Sequence, residues 1–118
     1  NFKEALWNNM VCDNLPLVVS TVFGGFLGHI VCVTGVQYKT TDYENIKAGK
    51  VSVNSVNPVA IIVDDPWGKY NPATNKYDAP NGGNDIVVPW DVVVKRVKPV
   101  NSTTTKWAHT FNHGAAKI

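Results

Sequence analysis

Apolar residues fall along this chain in two rhythms, and the change of rhythm marks its elements. Phe2, Ala5, Leu6, Met10 and Val11 recur at helical spacing among Lys3, Glu4, Asn8 and Asn9, so residues 2–11 read as a short amphipathic helix ending near Asp13-Asn14. β-Branched runs then take over. Residues 16–22 and 29–38 read as strands on either side of a Gly-rich loop at 23–28, and 59–63 as a third strand. Asp64-Asp65-Pro66 stops that third run, because proline cannot donate to a sheet ladder. Residues 38–58 are polar and read as an insertion or long hairpin arm, although the alternating Val51 and Val53 could form an extra edge strand.

Further on, residues 67–85 are rich in Asn, Gly, Pro, Tyr and Trp, the composition of a long surface loop. Ile86 to Val88 is a short strand. Pro89 suits the first turn of a helix over 90–97, where Val93, Val94 and Val97 keep spacings of three and four. Residues 106–112 alternate Trp107, His109 and Phe111 against Lys106, Ala108 and Thr110, a last strand with one aromatic-rich face. Together these elements predict an α+β domain, with a central antiparallel sheet of about five strands flanked by helices near 2–11 and 90–97.

Composition narrows this picture. The chain has 118 residues, 44% apolar and 17% charged, which fits a single domain over 1–118. Nineteen valines against one methionine favour strands. A formal charge of +2 lacks the clustered basicity of a nucleic-acid footprint, so no nucleic-acid partner is expected. Asn14 to Tyr38 carries no Asp, Glu, Lys or Arg and is long enough to cross a bilayer. Pro16, Ser20, Thr21, His29 and the glycines at 24, 25, 28 and 35 interrupt it, so two buried strands are expected and no membrane span. No export signal opens the sequence. The chain begins at Asn1, which reads as a processed product or a fragment of something longer.

Candidate chemistry centres on His29 and Asp65. If strand 29–37 turns through the polar arm and pairs antiparallel with 58–65, the start of one lies beside the end of the other. Side-chain alternation then allows His29 and Asp65 to share a face. A carboxylate bonded to one imidazole nitrogen fixes the tautomer and leaves the other nitrogen for a nucleophile's proton. A structural histidine beside an unrelated acidic turn fits the same spacing. Trp67, Tyr70, Tyr77 and Trp90 could line a groove for a sugar or peptide, or cap a core edge. Cys12 and Cys32 are too few for a disulfide scaffold or a zinc site. No metal or cofactor is expected, and His109 and His113 make a poor metal pair on a strand. Lys95, Arg96, Lys98 and Lys106 read as a solvated basic face that could meet an anionic wall polymer. Asn101-Ser102-Thr103 matches a glycosylation acceptor that lacks the export signal to give it meaning.

Three strings carry a resemblance: Leu15-Pro16-Leu17-Val18-Val19-Ser20, Gly28-His29-Ile30-Val31-Cys32-Val33-Thr34-Gly35, and Ile61-Ile62-Val63-Asp64-Asp65-Pro66-Trp67-Gly68. Together they resemble the C-terminal half of papain-like cysteine peptidases related to bacteriocin-processing peptidases. The tail, from Gly83-Asn84-Asp85 to His109, is similar to versions in phage and phage-like proteins. The resemblance implies a papain-like fold, His29 as general base and Asp65, directly before Pro66, as the orienting acid; of the aromatics, Trp67, Tyr70 and Trp90 are the ones expected to bind substrate. It further implies hydrolysis of peptide bonds, with peptidoglycan crosslinks as the substrate in a phage setting, and a place in the virion or at the bacterial cell envelope.

The departure from that pattern is the nucleophile. Such peptidases carry a cysteine at the N-terminus of a central helix upstream of the histidine, with a glutamine shortly before it, and this chain has neither. Cys12 falls near a helix end where the dipole disfavours thiolate. Cys32 alternates to the face opposite His29. Two expectations follow. Either an upstream segment or a second chain supplies the cysteine, or the scaffold serves as a non-catalytic structural, receptor-binding or cell-wall-binding virion module.

Overall fold

The apolar run from Leu17 onward folds back on itself as two antiparallel strands, β1 (Leu17–Thr21) and β2 (His29–Gln37), with Leu17 opposite Val33 and Thr21 opposite His29. This is the hairpin that the interrupted uncharged stretch predicts. The computed structural model describes residues 2–98 and 108–110. Its sheet continues on the other side of β2 with β3 (Ala60–Asp64) and then a strand at Ile86–Pro89, and a short strand at Ala108–Thr110 pairs with β1. Every pairing is antiparallel. The molecule is therefore α+β, with four strands of this sheet within residues 2–98 and the 108–110 strand at its edge.

One face of this sheet holds the core. Leu17 and Val19 of β1, Val31 and Val33 of β2, and Ile61 and Val63 of β3 are buried there, at the alternate positions that a pleated strand dictates. Thr34 has no partner in β3: Val33 faces Val63 and Gly35 faces Ile62, so β2 carries one extra residue. That bulge reverses the alternation, and Val36 rather than Gly35 turns towards the core. Phe2 and Leu6 of helix α1 (Phe2–Leu6) close the core on one side. Val93 and Val97, from and just after helix α3 (Trp90–Arg96), close it elsewhere.

Four expectations change in detail. The N-terminal helix is α-helical only to Leu6 and then widens to a π-helical turn over Trp7–Cys12, with Asp13 N–H donating to the Asn8 carbonyl at 3.0 Å. The widened turn brings Asn9 inside, where its amide donates to the Pro16 carbonyl. The polar arm is a helix, α2 (Thr40–Lys47), which buries none of its residues. Asp42 in its first turn and Lys47 in its last suit the helix dipole. Gly49, at a positive φ of 73°, ends it through Gly49 N–H to Ile46 O and Lys50 N–H to Asn45 O. Val51 and Val53 form no edge strand; a 3₁₀ turn at Val53–Ser55 takes their place, with Asn54 N–H donating to the Ser52 hydroxyl.

The expected loop at 67–85 instead begins with a second sheet, a hairpin of β4 (Lys69–Asn71) and β5 (Lys76–Ala79), before β6 (Ile86–Pro89) rejoins the main one. The last strand, β7 (Ala108–Thr110), is shorter than the predicted 106–112; Lys106, Trp107, Phe111 and His113, like Asn101–Thr103, lie outside the described residues. No helix among the described residues is long and apolar enough to cross a membrane.

The segment between β5 and β6 is pinned hard against β3. Asp65 N–H donates to the Gly83 carbonyl at 2.7 Å. A Cβ on Gly83 would run into the Asp65 carbonyl oxygen, so only glycine allows this approach. Gly83→Ala is therefore expected to lower stability by about 3 kcal/mol, measured as a shifted urea midpoint. An unshifted midpoint would show that the two backbones do not meet this closely.

Candidate functional site

Asp65 follows the last residue of β3, and the local sequence decides where its carboxylate points. Asp65-Pro66-Trp67-Gly68 is a β-turn, with acid at the first position, proline at the second and glycine at the fourth. Gly68 N–H donates to the Asp65 carbonyl at 3.3 Å, and Trp67 N–H to Asp65 Oδ1 at 2.9 Å. The side chain thus folds over its own turn and projects onto the core face of the sheet. His29 opens β2 on that face. Register places Val31 directly across from Asp65, extending the Cys32–Asp64 pair by one residue, and His29 one diagonal step away.

The result is a bond of 2.8 Å between His29 Nε2 and Asp65 Oδ1, with the imidazole side chain 2% exposed and the carboxylate 0%. Tyr77, from β5, donates its hydroxyl to Asp65 Oδ2 at 2.7 Å. Both carboxylate oxygens are therefore bonded, as a buried charge requires. Since Nε2 gives its proton to Asp65, Nδ1 is the nitrogen left with a lone pair. Asp64 points the opposite way, and its Oδ1 accepts Asp85 N–H at 2.9 Å.

Aromatic rings surround the imidazole. Trp67 lies over it, with centroids 3.9 Å apart at an angle of 34°, and Tyr77 meets it edge-on at 6.0 Å. Trp67, 47% exposed, also touches Phe26, 49% exposed, in a T-shaped contact. Gly24, Phe26, Trp67, Asn75, Lys76 and Tyr77 line an open groove of about 470 Å³. Trp67 is thus placed where a ligand could reach it. The other two aromatics expected to bind substrate are not. Tyr70 is buried at 2% exposure, stacked on Phe23 at 4.1 Å with its hydroxyl donating to Asn75. Trp90 stacks on Phe2 at the far end of β3, where Pro89 pairs with Ala60, about 16 Å of strand away from Asp65. Tyr70 packs inside the core and Trp90 at its edge, because the hairpin and α3 turn those rings inward.

Phe26, Asn75 and Lys76 are groove side chains that the sequence did not single out. Phe26 sat in a loop read only for its glycines. Asn75 adopts a positive φ of 56° at the hairpin turn, and its side-chain oxygen accepts both Gly24 N–H and the Tyr70 hydroxyl. Positive φ is tolerated by asparagine, which was the available signal.

Neither cysteine stands beside the imidazole. Cys12 is exposed at the end of the π-helical turn. Cys32 lies on the opposite face of β2, and burial, then the negative charge of Asp64, pushes its thiol pKa up. A raised pKa removes thiolate at neutral pH. Among the described residues no three His, Cys, Asp or Glu side chains gather where they could hold a metal. No family model, no curated protein and no solved structure matches this chain.

Two outcomes follow from this geometry. Asp65→Ala strips the buried imidazole of its partner and should cost about 3 kcal/mol; the His29 imidazole should also lose its single tautomer, read from its ¹⁵N resonances. A stable variant with an unchanged tautomer would remove Asp65 from the role given to it here.

The second outcome concerns alkali. Burial pushes the phenol of Tyr38 up to about 12. It also raises Tyr70 and, with the added bond to Asp65, Tyr77. Unfolded phenols ionise near pH 10, so the folded chain then holds protons that the unfolded chain has lost. Their contribution to stability is whole below about pH 10 and is lost as pH rises through the folded values. Phenolate absorbance from these three rings should appear together with loss of near-ultraviolet dichroism; ionisation near pH 10 in an intact fold would contradict their burial.

Proposed function

We propose that this chain is the His/Asp-bearing half of a papain-like cysteine peptidase, acting on peptide bonds with a cysteine supplied by an upstream segment or a second chain. The observation that carries this reading is the His29 Nε2 bond to a carboxylate whose other contacts, Trp67 N–H and Tyr77 OH, are already made. Such a pair holds one tautomer and one ring orientation before any reaction begins. His29 Nδ1 takes the thiol proton, and the thiolate adds to the peptide carbonyl. The imidazolium, steadied by Asp65, returns the proton to the leaving amine as the C–N bond breaks. Water, relieved of a proton by His29, then cleaves the thioester. The groove walled by Phe26, Trp67 and Tyr77 receives the substrate, and the latter two rings are the ones that pack on the imidazole. In the phage-like setting that the sequence resembles, that substrate is a peptidoglycan crosslink and the protein belongs to the virion or acts at the cell envelope.

One observation favours a second reading. Phe26, Leu27 and Trp67 expose large apolar surface immediately beside the groove, which suits a non-catalytic module that binds a receptor or cell wall.

A biotinylated peptidyl epoxide applied to the native protein separates the two. The peptidase reading expects label on a cysteine other than Cys12 and Cys32, lost in His29→Ala and retained in Cys12→Ser and Cys32→Ser. Absence of label, or label on either of those two, overturns it in favour of the binding module.

A further inference from the structure

We propose that Tyr77 is the positioning residue of the His29–Asp65 pair, fixing the imidazole tautomer by holding the carboxylate through its second oxygen.

Three donors converge on Asp65, and they differ in how they are held. His29 Nε2 and Trp67 N–H share Oδ1, at 2.8 and 2.9 Å. The first comes from a strand and the second from the turn that Asp65 itself begins, so neither restrains Oδ2. Tyr77 OH does, at 2.7 Å. A carboxylate gripped on one oxygen alone can still swing about its last side-chain torsion, which is broad and shallow. With its side chain 0% exposed, Oδ2 has no bulk water to turn to. Removing the phenol hydroxyl leaves a buried charged oxygen seeking a donor. The nearest remedy is rotation of the carboxylate, at the expense of the bond to His29.

The hairpin holds Tyr77 for this task. Its ring packs 5.3 Å from Tyr70 and 6.1 Å from Trp67. The ring of Tyr70, across from Tyr77 in the β4–β5 register, is in turn stacked on Phe23. Burial and the Asp65 charge keep the Tyr77 phenol protonated, hence a permanent donor. Tyr77 also lines the groove. The residue therefore links substrate space to the orientation of the imidazole without touching the imidazole nitrogens.

This inference deepens the peptidase reading and rests on it for its catalytic consequence, but its test does not need a nucleophile. Long-range ¹H–¹⁵N spectra of the chain with ¹⁵N-labelled histidine report which ring nitrogen of neutral His29 carries the proton. The wild-type chain should show the proton on Nε2 alone. Tyr77→Phe should give a mixture of tautomers, while Tyr70→Phe, which deletes a phenol bonded to Asn75 instead, should keep the wild-type pattern. An unchanged tautomer in Tyr77→Phe, or the same mixture in Tyr70→Phe, overturns the proposal.

Where Tyr77→Phe does not fold, 3-fluorotyrosine at position 77 preserves the ring and strengthens the donor. A stronger bond to Oδ2 weakens acceptance at Oδ1, so the His29 Nε2 proton should move upfield; no movement overturns the proposal. A tautomer that responds to Tyr77 in a protein that the peptidyl epoxide never labels would keep the positioning role and sink the peptidase.

Discussion

The bond between His29 and Asp65 is the constraint around which one end of this molecule is arranged. A histidine and an aspartate placed inside a small domain are each costly to desolvate, and the cost is met only if their polar atoms are paired. The surrounding structure answers that demand. The turn at 65–68 folds an amide onto one oxygen, the β4–β5 hairpin delivers a phenol to the other, and the Gly83 carbonyl ties down the Asp65 backbone. Trp67 then covers the imidazole face. Elements that look like loop decoration in the sequence are there because a buried carboxylate needs donors from several directions.

That dependence explains which parts of the fold were legible. β1, β3 and β2 as far as Val33 alternate their β-branched residues regularly, so the antiparallel pairing and the neighbourhood of His29 and Asp65 could be read from the strand pattern. The α3 helix announced itself through Pro89 and its valine spacing. What escaped was carried by other means. The α2 helix has no apolar face to produce a periodic signal, and only Gly49 at its end and the charges at its two ends betray it. β4 is too short to show alternation, and it is stabilised by the Phe23–Tyr70 stack across the chain rather than by its own sequence. The bulge at Thr34 changes which side chains face inward without altering the composition of the strand.

Aromatic residues were the hardest to assign, because composition says that a ring is present and not which way it faces. Tyr70 and Trp67 lie three residues apart, yet one is sealed in the core and the other is half exposed. The turn between them decides. Gly68, at a φ of 123°, lets the chain reverse against Ala79 and Pro80, sending Tyr70 inward while Trp67 stays over the imidazole.

The α2 arm has a different kind of consequence. It leaves the sheet after β2 and returns to β3 at the end farthest from His29 and Asp65, and it buries no side chain of its own. Its contacts with the body lie at the same end, through Trp7, which meets Tyr38 and Tyr43, and through Asn54, which is hydrogen-bonded to Lys3 and Glu4 of α1. Length and composition between residues 39 and 57 are thus decoupled from the geometry of the imidazole and its acid. Lineages and protein engineers alike can treat that stretch as an exchangeable cassette, free to acquire a tether, a tag or a new recognition surface while the opposite rim stays as it is.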